Sequence, residues 1–405
     1  MSDAMQEAGN FKFYLRPRVA FGAGLFATAG AEAATLGRIA LVVTGKGAMR
    51  RAGYTDRLLA SLEAAGVKGV LYEGVRPNPT VDEVDAGATL ARQERAEVVI
   101  GLGGGSAVDT AKAIAVTAAS GVASCRSLLG CQLTKPGLPV IAVPTTSGTG
   151  AEVTAVAVVS VPEQGVKTAL RGPGVMATVA VVDPELTLGL PPNVTASTGM
   201  DALAHAVESY LSVNSSPVSE FFAERAVGLI LPHLAAACAD GRDAAARSAM
   251  AEGSCLAGIA LAQSGAALGH GFGMALGGPF DVDHGALVGR ILPEMLEFSL
   301  PAVTDRLARL ARRCEALPGL TAGGAGGPSA SDADAAAALI KAIRDLMAEI
   351  PLPASLPAMG ITRSALAGEA YGRLLELILV QAGTKNHPVP VDMDSAAVLL
   401  DRLLG

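Results

Sequence analysis

The 405-residue sequence predicts an α/β N-terminal domain built on a mostly parallel sheet, followed by an all-α C-terminal domain. Three observations carry that expectation. The chain is too long for one ordinary core and suits two domains of roughly 150 to 200 residues each. Its first half alternates short β-branched apolar runs with helical segments, and each run is bounded by Gly, Pro or polar residues. From about residue 197 onward helical periodicity runs to the C-terminus with almost no strand signal. The expected boundaries are 1–190 and 191–405.

The apolar runs are RIALVVTG (38–45), GVLYEG (69–74), AEVVIGLG (96–103), PVIAVPT (139–145) and VAVVDP (179–184). They alternate little, which marks strands covered on both faces. Helices such as YTDRLLASLEAAG (54–66) and VDEVDAGATLARQER (81–95) lie between them and supply right-handed crossovers. Pro191 and Pro192 followed by Asn193 start the helical half. The low-complexity stretch 318–339 is expected to be an exposed, mobile loop, with a helix beginning near Ser331.

Half the residues are hydrophobic and 17% are charged, the balance of a compact globular protein. A net charge of -7 gives no electrostatic reason to expect nucleic acid or an anionic membrane, so the expected partner is a small molecule. The N-terminus MSDAMQEAGN has neither a basic nor an apolar secretion segment, and no eighteen-residue apolar run is free of Gly, Pro and charge. A cytoplasmic protein is expected, with a homodimer as the default assembly. Cys125, Cys131, Cys238, Cys255 and Cys314 are odd in number, spread out and without a CxxC pair, which fits reduced structural thiols.

Two strand ends carry nucleotide-binding character. In VVIGLGGGSAVDTAKAIAV (98–116), Gly103, Gly104 and Gly105 let the backbone approach a phosphate, and Ser106 can cap a helix whose amides attract an anion. The spacing is not a full GxGxxG, and a ligand-free tight turn is the alternative. In VPTTSGTGAEVT (143–154), Thr145, Thr146, Ser147 and Thr149 can meet phosphate, ribose or nicotinamide amide, or cap the next helix. Both turns end parallel strands and should share one sheet edge, which favours a dinucleotide.

In STGMDALAHAVESY (197–210), Asp201 and His205 stand four apart on one helix face, where both can reach one ion or bond to each other. His270 and His284, in LGHGFGMALGGPFDVDHG, complete a set of four donors suited to Zn²⁺ or Fe²⁺. That helix is expected to end at Gly277 and Gly278, with a loop delivering His284. His233 is expected to be an ordinary core histidine. Glu208 is open between an acceptor behind the ligands and a solvated charge.

The motifs GGGSAVDTAKAIA, PTTSGTGAEVT, DPELTLGLPP, TGMDALAHAVESY and LGHGFGMALGGPFDVDHG, in this order, resemble the iron-containing (group III) alcohol dehydrogenases. The likeness runs from about residue 21 to about 390. It implies a dehydroquinate synthase-like two-domain architecture with a cleft between an NAD(P)-binding Rossmann-like domain and a helical metal- and substrate-binding domain. The implied metal ligands are Asp201, His205, His270 and His284, holding Fe²⁺ or alternatively Zn²⁺. The implied cofactor contacts are Gly103, Gly104, Ser106, Thr145, Thr146 and Thr149, with Lys167 near the cofactor ribose. The implied oxidoreductase reaction is hydride transfer between nicotinamide C4 and a small alcohol or aldehyde whose oxygen the metal binds. Maleylacetate reductase-like and glycerol dehydrogenase-like activities are alternatives, and a dehydroquinate synthase-like lyase is a weaker one.

Three positions depart from the family pattern. Gly45 stands where many members have an acid that holds the adenosine ribose, and Lys46, Arg50 and Arg51 follow it, so NADP is expected to be accepted beside NAD. Met274 replaces a histidine assigned to proton relay, which makes the substrate pocket more apolar. Near the C-terminus Asn386, His387 and Pro388 replace Asn-Pro-Arg, and His387 is expected on a surface loop.

Overall fold

The computed structural model describes residues 10–314 and 330–405. Strands β1 (Arg18–Phe21), β2 (Ile39–Gly45), β3 (Lys68–Val75), β4 (Val98–Gly103), β5 (Val140–Pro144) and β8 (Val179–Val182) form one parallel sheet. Their order is β1-β8-β5-β4-β2-β3. A separate antiparallel hairpin joins β6 (Val156–Val161) to β7 (Val166–Arg171).

Five of the six parallel strands fall on the apolar runs, and the core explains why those runs show so little alternation. Successive residues of β4 serve two different cores: Val99 packs with Val43, Val108 and Ala142 on one face, while Ile100 packs with Val42, Ile141 and Val143 on the other. Both faces are dry. The three strands absent from the sequence reading are of another kind. β1 is four residues long on the sheet edge, and β6 alternates partly buried and buried positions outside the main sheet.

No strand occurs after β8 among the described residues, and helices make the second half. The helix Pro192–Leu211 starts on the expected prolines and is the centre of that half, since every residue from Gly199 to Leu211 is buried. It packs against Pro217–Ala239, Ala244–Ser264 and His284–Arg313. Pro217–Ala239 is long and apolar enough to span a membrane by composition alone, but 56% of its most apolar window is buried within the protein. The helix Asp332–Glu349 begins with Ser331 as its cap, as expected, while the part of the low-complexity stretch before residue 330 lies outside the described residues.

Candidate active site between the sheet edge and the helices

A dry helix core should not contain acids and imidazoles without a reason, because burying such groups is costly unless they are partnered. Pro192–Leu211 buries Asp201, His205 and Glu208, which lie on one helix face. Asp201 Oδ1 is the common neighbour of three imidazoles. His270 Nε2 lies 3.4 Å away, His205 Nε2 3.8 Å and His284 Nε2 3.9 Å. The His205 and His270 rings stack with centroids 4.4 Å apart, and His284 meets His270 edge-on at 5.5 Å.

Asp201, His270 and His284 fit a divalent cation, and His205 adds a further nitrogen 3.8 Å from Asp201 Oδ1. Asp201 Oδ1 and His270 Nε2 are buried without any hydrogen-bond partner, although polar atoms converge there. Donor atoms each about 2.1 Å from one ion stand roughly 3.4 Å apart at tetrahedral angles. The ligand atoms of Asp201, His270 and His284 lie within 4.8 Å of one another. A carboxylate and neutral imidazoles are the donors that Fe²⁺ and Zn²⁺ accept.

Glu208 settles into one of the two roles left open for it. It is fully buried, and its Oε1 accepts from His270 Nδ1 at 2.8 Å. Its Oε2 accepts from the backbone amides of Ala267 at 2.7 Å and His270 at 3.2 Å. Holding the proton on Nδ1 turns the Nε2 of His270 toward the cluster. Gly269 makes room for this arrangement, since a Cβ there would stand 2.5 Å from Glu208 Oε1.

The charges follow from this packing. Burial would raise the Asp201 carboxyl, but His205, His270 and His284 hold it well below the usual carboxylate range. Burial would lower His270, yet Glu208 and Asp201 together push it up to about 10. A divalent cation competes with that proton for Nε2. Burial pushes His284 down to about 4 and lowers His205, so both rings are kept neutral.

The end of the helix before His284 differs from the expectation. The helix Leu268–Phe280 runs through Gly277 and Gly278, and the left-handed residue after it is Asp281, with φ of 47°. Neither of those glycines has a positive φ, so neither stops the helix. Residues 281–283 then form the expected loop and deliver His284 as the first residue of the next helix. Asp283 caps that helix through the Ala286 amide at 2.9 Å and also accepts from Ser197 Oγ, one turn before Asp201.

The two nucleotide-binding candidates meet at the carboxyl ends of neighbouring strands, as expected: Thr145 N donates to Gly103 O at 2.9 Å across β4 and β5. Ser106 does not cap the following helix. Gly105–Ser120 has Gly104 as its N-cap with no side-chain bond, and Ser106 lies inside its first turn. A Cβ on Gly105 would stand 2.6 Å from the Thr149 methyl, so glycine is needed where the turns touch.

A cavity of about 500 Å³ opens between these turns and the histidines. From the sheet side it is lined by Gly105, Ser106, Asp109, Thr149 and Lys167, and from the helical side by Asp201, His205, His270, Met274 and His284. Gly103, Gly104, Thr145 and Thr146 lie outside its wall, and Thr145 is buried. Lys167 comes from the hairpin and faces the C-terminal turn of Leu268–Phe280, its Nζ 3.9 Å from where a Gly277 Cβ would be. Burial lowers Lys167, against Asp281 and Asp283. Asn78, in left-handed backbone like Asp281, donates to the Asp281 carboxylate at 2.8 Å and joins the two sides of the cleft.

At the end of β2, the nearest atom to a Cβ on Gly45 would be Val75 O at 3.6 Å, so that corner is open. Arg50 is already engaged there, donating to both Glu73 oxygens at 3.0 and 2.8 Å. His233 is satisfied locally, its Nδ1 2.8 Å from Leu229 O.

His387 is a correction. It is 4% exposed and not on a surface loop; its Nε2 pairs with Ser299 Oγ at 2.8 Å and its ring stacks on Phe298. It follows the short helix Ala382–Asn386, which packs beneath Leu268–Phe280, so the chain turns inward there. Asn386, marked in the sequence only as part of a departing triplet, lines the cavity, and its side chain donates to Ala266 O at 3.2 Å. Only the unusual NHP triplet pointed to that segment.

The comparisons with known proteins agree with this arrangement. Residues 17–184 match the family model for iron-containing alcohol dehydrogenase, and residues 195–403 match the C-terminal model of the same family. The chain is 37% identical over 338 residues to long-chain-alcohol dehydrogenase 1 of Geobacillus thermodenitrificans, covering 83% of each chain. It is 36% identical to 1,3-propanediol dehydrogenase of Citrobacter freundii over 353 residues, 86% of this chain and 88% of that one. A crystal structure of 1,3-propanediol oxidoreductase superposes with a TM-score of 0.90 at 31% identity, covering 98% of this chain and all 100% of the other. Fold and site thus define a nicotinamide-dependent oxidoreductase with an α/β half and a helical half. The chain belongs to the iron-containing alcohol dehydrogenase family and is an alcohol dehydrogenase.

Proposed function

We propose that this enzyme interconverts a small primary alcohol or diol and its aldehyde, with Asp201, His205, His270 and His284 holding one Fe²⁺ or Zn²⁺ ion. The observation that carries the reading is the convergence of three imidazole Nε2 atoms on Asp201 Oδ1, with Asp201 Oδ1 and His270 Nε2 buried and unpartnered. When bound, the ion supplies Lewis-acid polarisation of the substrate oxygen. Glu208 keeps the proton of His270 on Nδ1, and Asp201 brings a carboxylate among the three imidazoles. Met274 gives the substrate side an apolar wall that neither donates nor accepts a proton. The names of two relatives, 1-propanol dehydrogenase and 1,3-propanediol dehydrogenase, support a small alcohol or diol.

In this reading residues 1–190 hold the dinucleotide and 191–405 hold the metal and the substrate, a division supported by the ends of the two family matches. Gly105, Ser106 and Thr149 face the cavity on the phosphate and nicotinamide side, Gly103, Gly104, Thr145 and Thr146 shape the two turns behind them, and Lys167 stands beside the ribose. NADP is accepted as well as NAD, because Gly45 leaves the ribose corner without an acid and Lys46 and Arg51 stand exposed next to it. The enzyme works in the cytoplasm, as a dimer.

Metal analysis of an anaerobic preparation, with cofactor turnover followed at 340 nm, tests this directly. One equivalent of iron or zinc and comparable kcat/KM for the two cofactors are expected. Full activity without metal would refute the ligand set, and exclusive use of NAD would refute the reading of Gly45.

A further inference from the structure

We infer that Lys112 is a positioning residue for the dinucleotide: its buried ammonium sets the shape of the sheet-side wall of the cleft. The inference rests on that wall being the dinucleotide site. Lys112 lies in the helix Gly105–Ser120, and its side chain is completely buried. Its Nζ donates to Ala151 O at 2.7 Å and reaches Thr154 O and Thr154 Oγ1, each at 3.3 Å. It also pairs with Asp109 Oδ1 at 3.0 Å. The ammonium's three donors are matched by the two loop carbonyls and the threonine hydroxyl, and the Asp109 carboxylate balances its charge as an ion pair.

A buried lysine is an expensive way to fill space, since a leucine or methionine would pack against the turn without desolvating a charge. What the charge adds is a fixed position for backbone that has no regular structure. The stretch from Thr145 to Thr154 has no helix or strand to hold its carbonyls, yet it touches both the glycine turn and the histidine cluster. Its Thr146 and Thr149 side chains contact the glycine turn, and Gly148 O lies 3.4 Å from His205 Nδ1. Gly150 is packed directly against Gly258 of the helix Ala244–Ser264.

Asp109 extends the same anchor to a second element. Its Oδ2 accepts from Val158 N at 3.0 Å, which ties the hairpin that carries Lys167 to the same helix. One ion pair therefore registers the glycine turn, the threonine turn and the Lys167 hairpin relative to one another. Asp109 itself lines the cavity, so the anchor stands directly behind the surface that the cofactor would cover.

The test compares Lys112→Met with the wild-type chain in fluorescence titrations of NADH and NADPH on metal-free protein, alongside thermal melting and steady-state kinetics. Loss of hydrogen bonds from a charged donor corresponds to about a tenfold or greater rise in dissociation constant for both dinucleotides. The cofactor KM is expected to rise more than the alcohol KM. Asp109→Asn is expected to act in the same direction. Should Lys112→Met fail to fold, Thr154→Val removes one acceptor and is expected to weaken binding about two- to threefold. A lower melting temperature with unchanged dissociation constants would reduce Lys112 to a packing element and overturn the inference. Wild-type protein that binds neither dinucleotide would overturn the reading of the wall, and the inference with it.

Discussion

The two walls of the cleft are built by different means. On the helical side, side chains make the surface: Asp201, His205 and His270 are 4%, 6% and 8% exposed, and each is fixed by another buried group. On the sheet side the wall is shared among several elements: the glycine turn after β4, the threonine turn after β5 and the β6–β7 hairpin, through Gly105, Ser106, Asp109, Thr149, Val156 and Lys167. The difference follows from what each wall would hold. An ion needs a few donors fixed within tenths of an ångström, so one lost donor is severe. A dinucleotide is long and spreads its binding over many contacts, so one lost contact weakens it by degrees.

The largest expected effect tests the helical wall. Asp201→Ala or His270→Ala should remove bound metal and lower kcat/KM by about a thousandfold or more, with NADH binding unchanged. Metal analysis and a parallel titration check both halves of that statement, and a large loss of NADH binding would erase the contrast between the walls. Glu208→Gln keeps all four ligands but loosens His270, and metal affinity should fall about 10- to 100-fold in competition with a chelator. Gly105→Ala perturbs the opposite wall. The added methyl would sit 2.6 Å from the Thr149 side chain, so the cofactor KM should rise about tenfold while metal content stays at the wild-type level.

His387 gives the smallest effect at neutral pH and a distinct one in acid. Burial pushes it down to about 4, partly opposed by Glu208, whereas in the unfolded chain it titrates near 6.5. The unfolded state therefore takes up the proton first. Stability is unaffected above pH 6.5 and falls as pH drops toward 4, by up to about 3 kcal/mol. His387→Gln should flatten that acid limb in denaturant titrations between pH 7 and 4, and an unchanged slope would show that the ring already finds a place for its charge.

Much of this was legible in the sequence because the relevant constraints are local. A strand covered on both faces announces itself by an unbroken apolar run, as β4 does, and an acid and a histidine four residues apart on a helix announce themselves by spacing. β1 and the β6–β7 hairpin were not legible, since a four-residue edge strand and an alternating pair off the main sheet carry weak patterns. At the site, Asp201, His205, His270 and His284 stood out because a histidine-poor chain places few of them together. Lys112 and Asp109 did not, because i and i+3 charges on a helix usually mean a solvated face, and only the fold shows that a turn some forty residues away covers them. Glu208 was ambiguous for the same reason: its partners lie about sixty residues on.

The hydrogen bond between Asn78 and Asp281 has a kinetic consequence. Its partners are 203 residues apart, and each occupies a left-handed conformation that a residue with a side chain adopts at some cost. A contact of such sequence separation closes only after each half has its own core, so it belongs to the last stage of folding. Separation of the two halves would break it. Amide exchange around residues 78–80 and 281–283 would therefore time the opening and closing of the cleft in the folded enzyme.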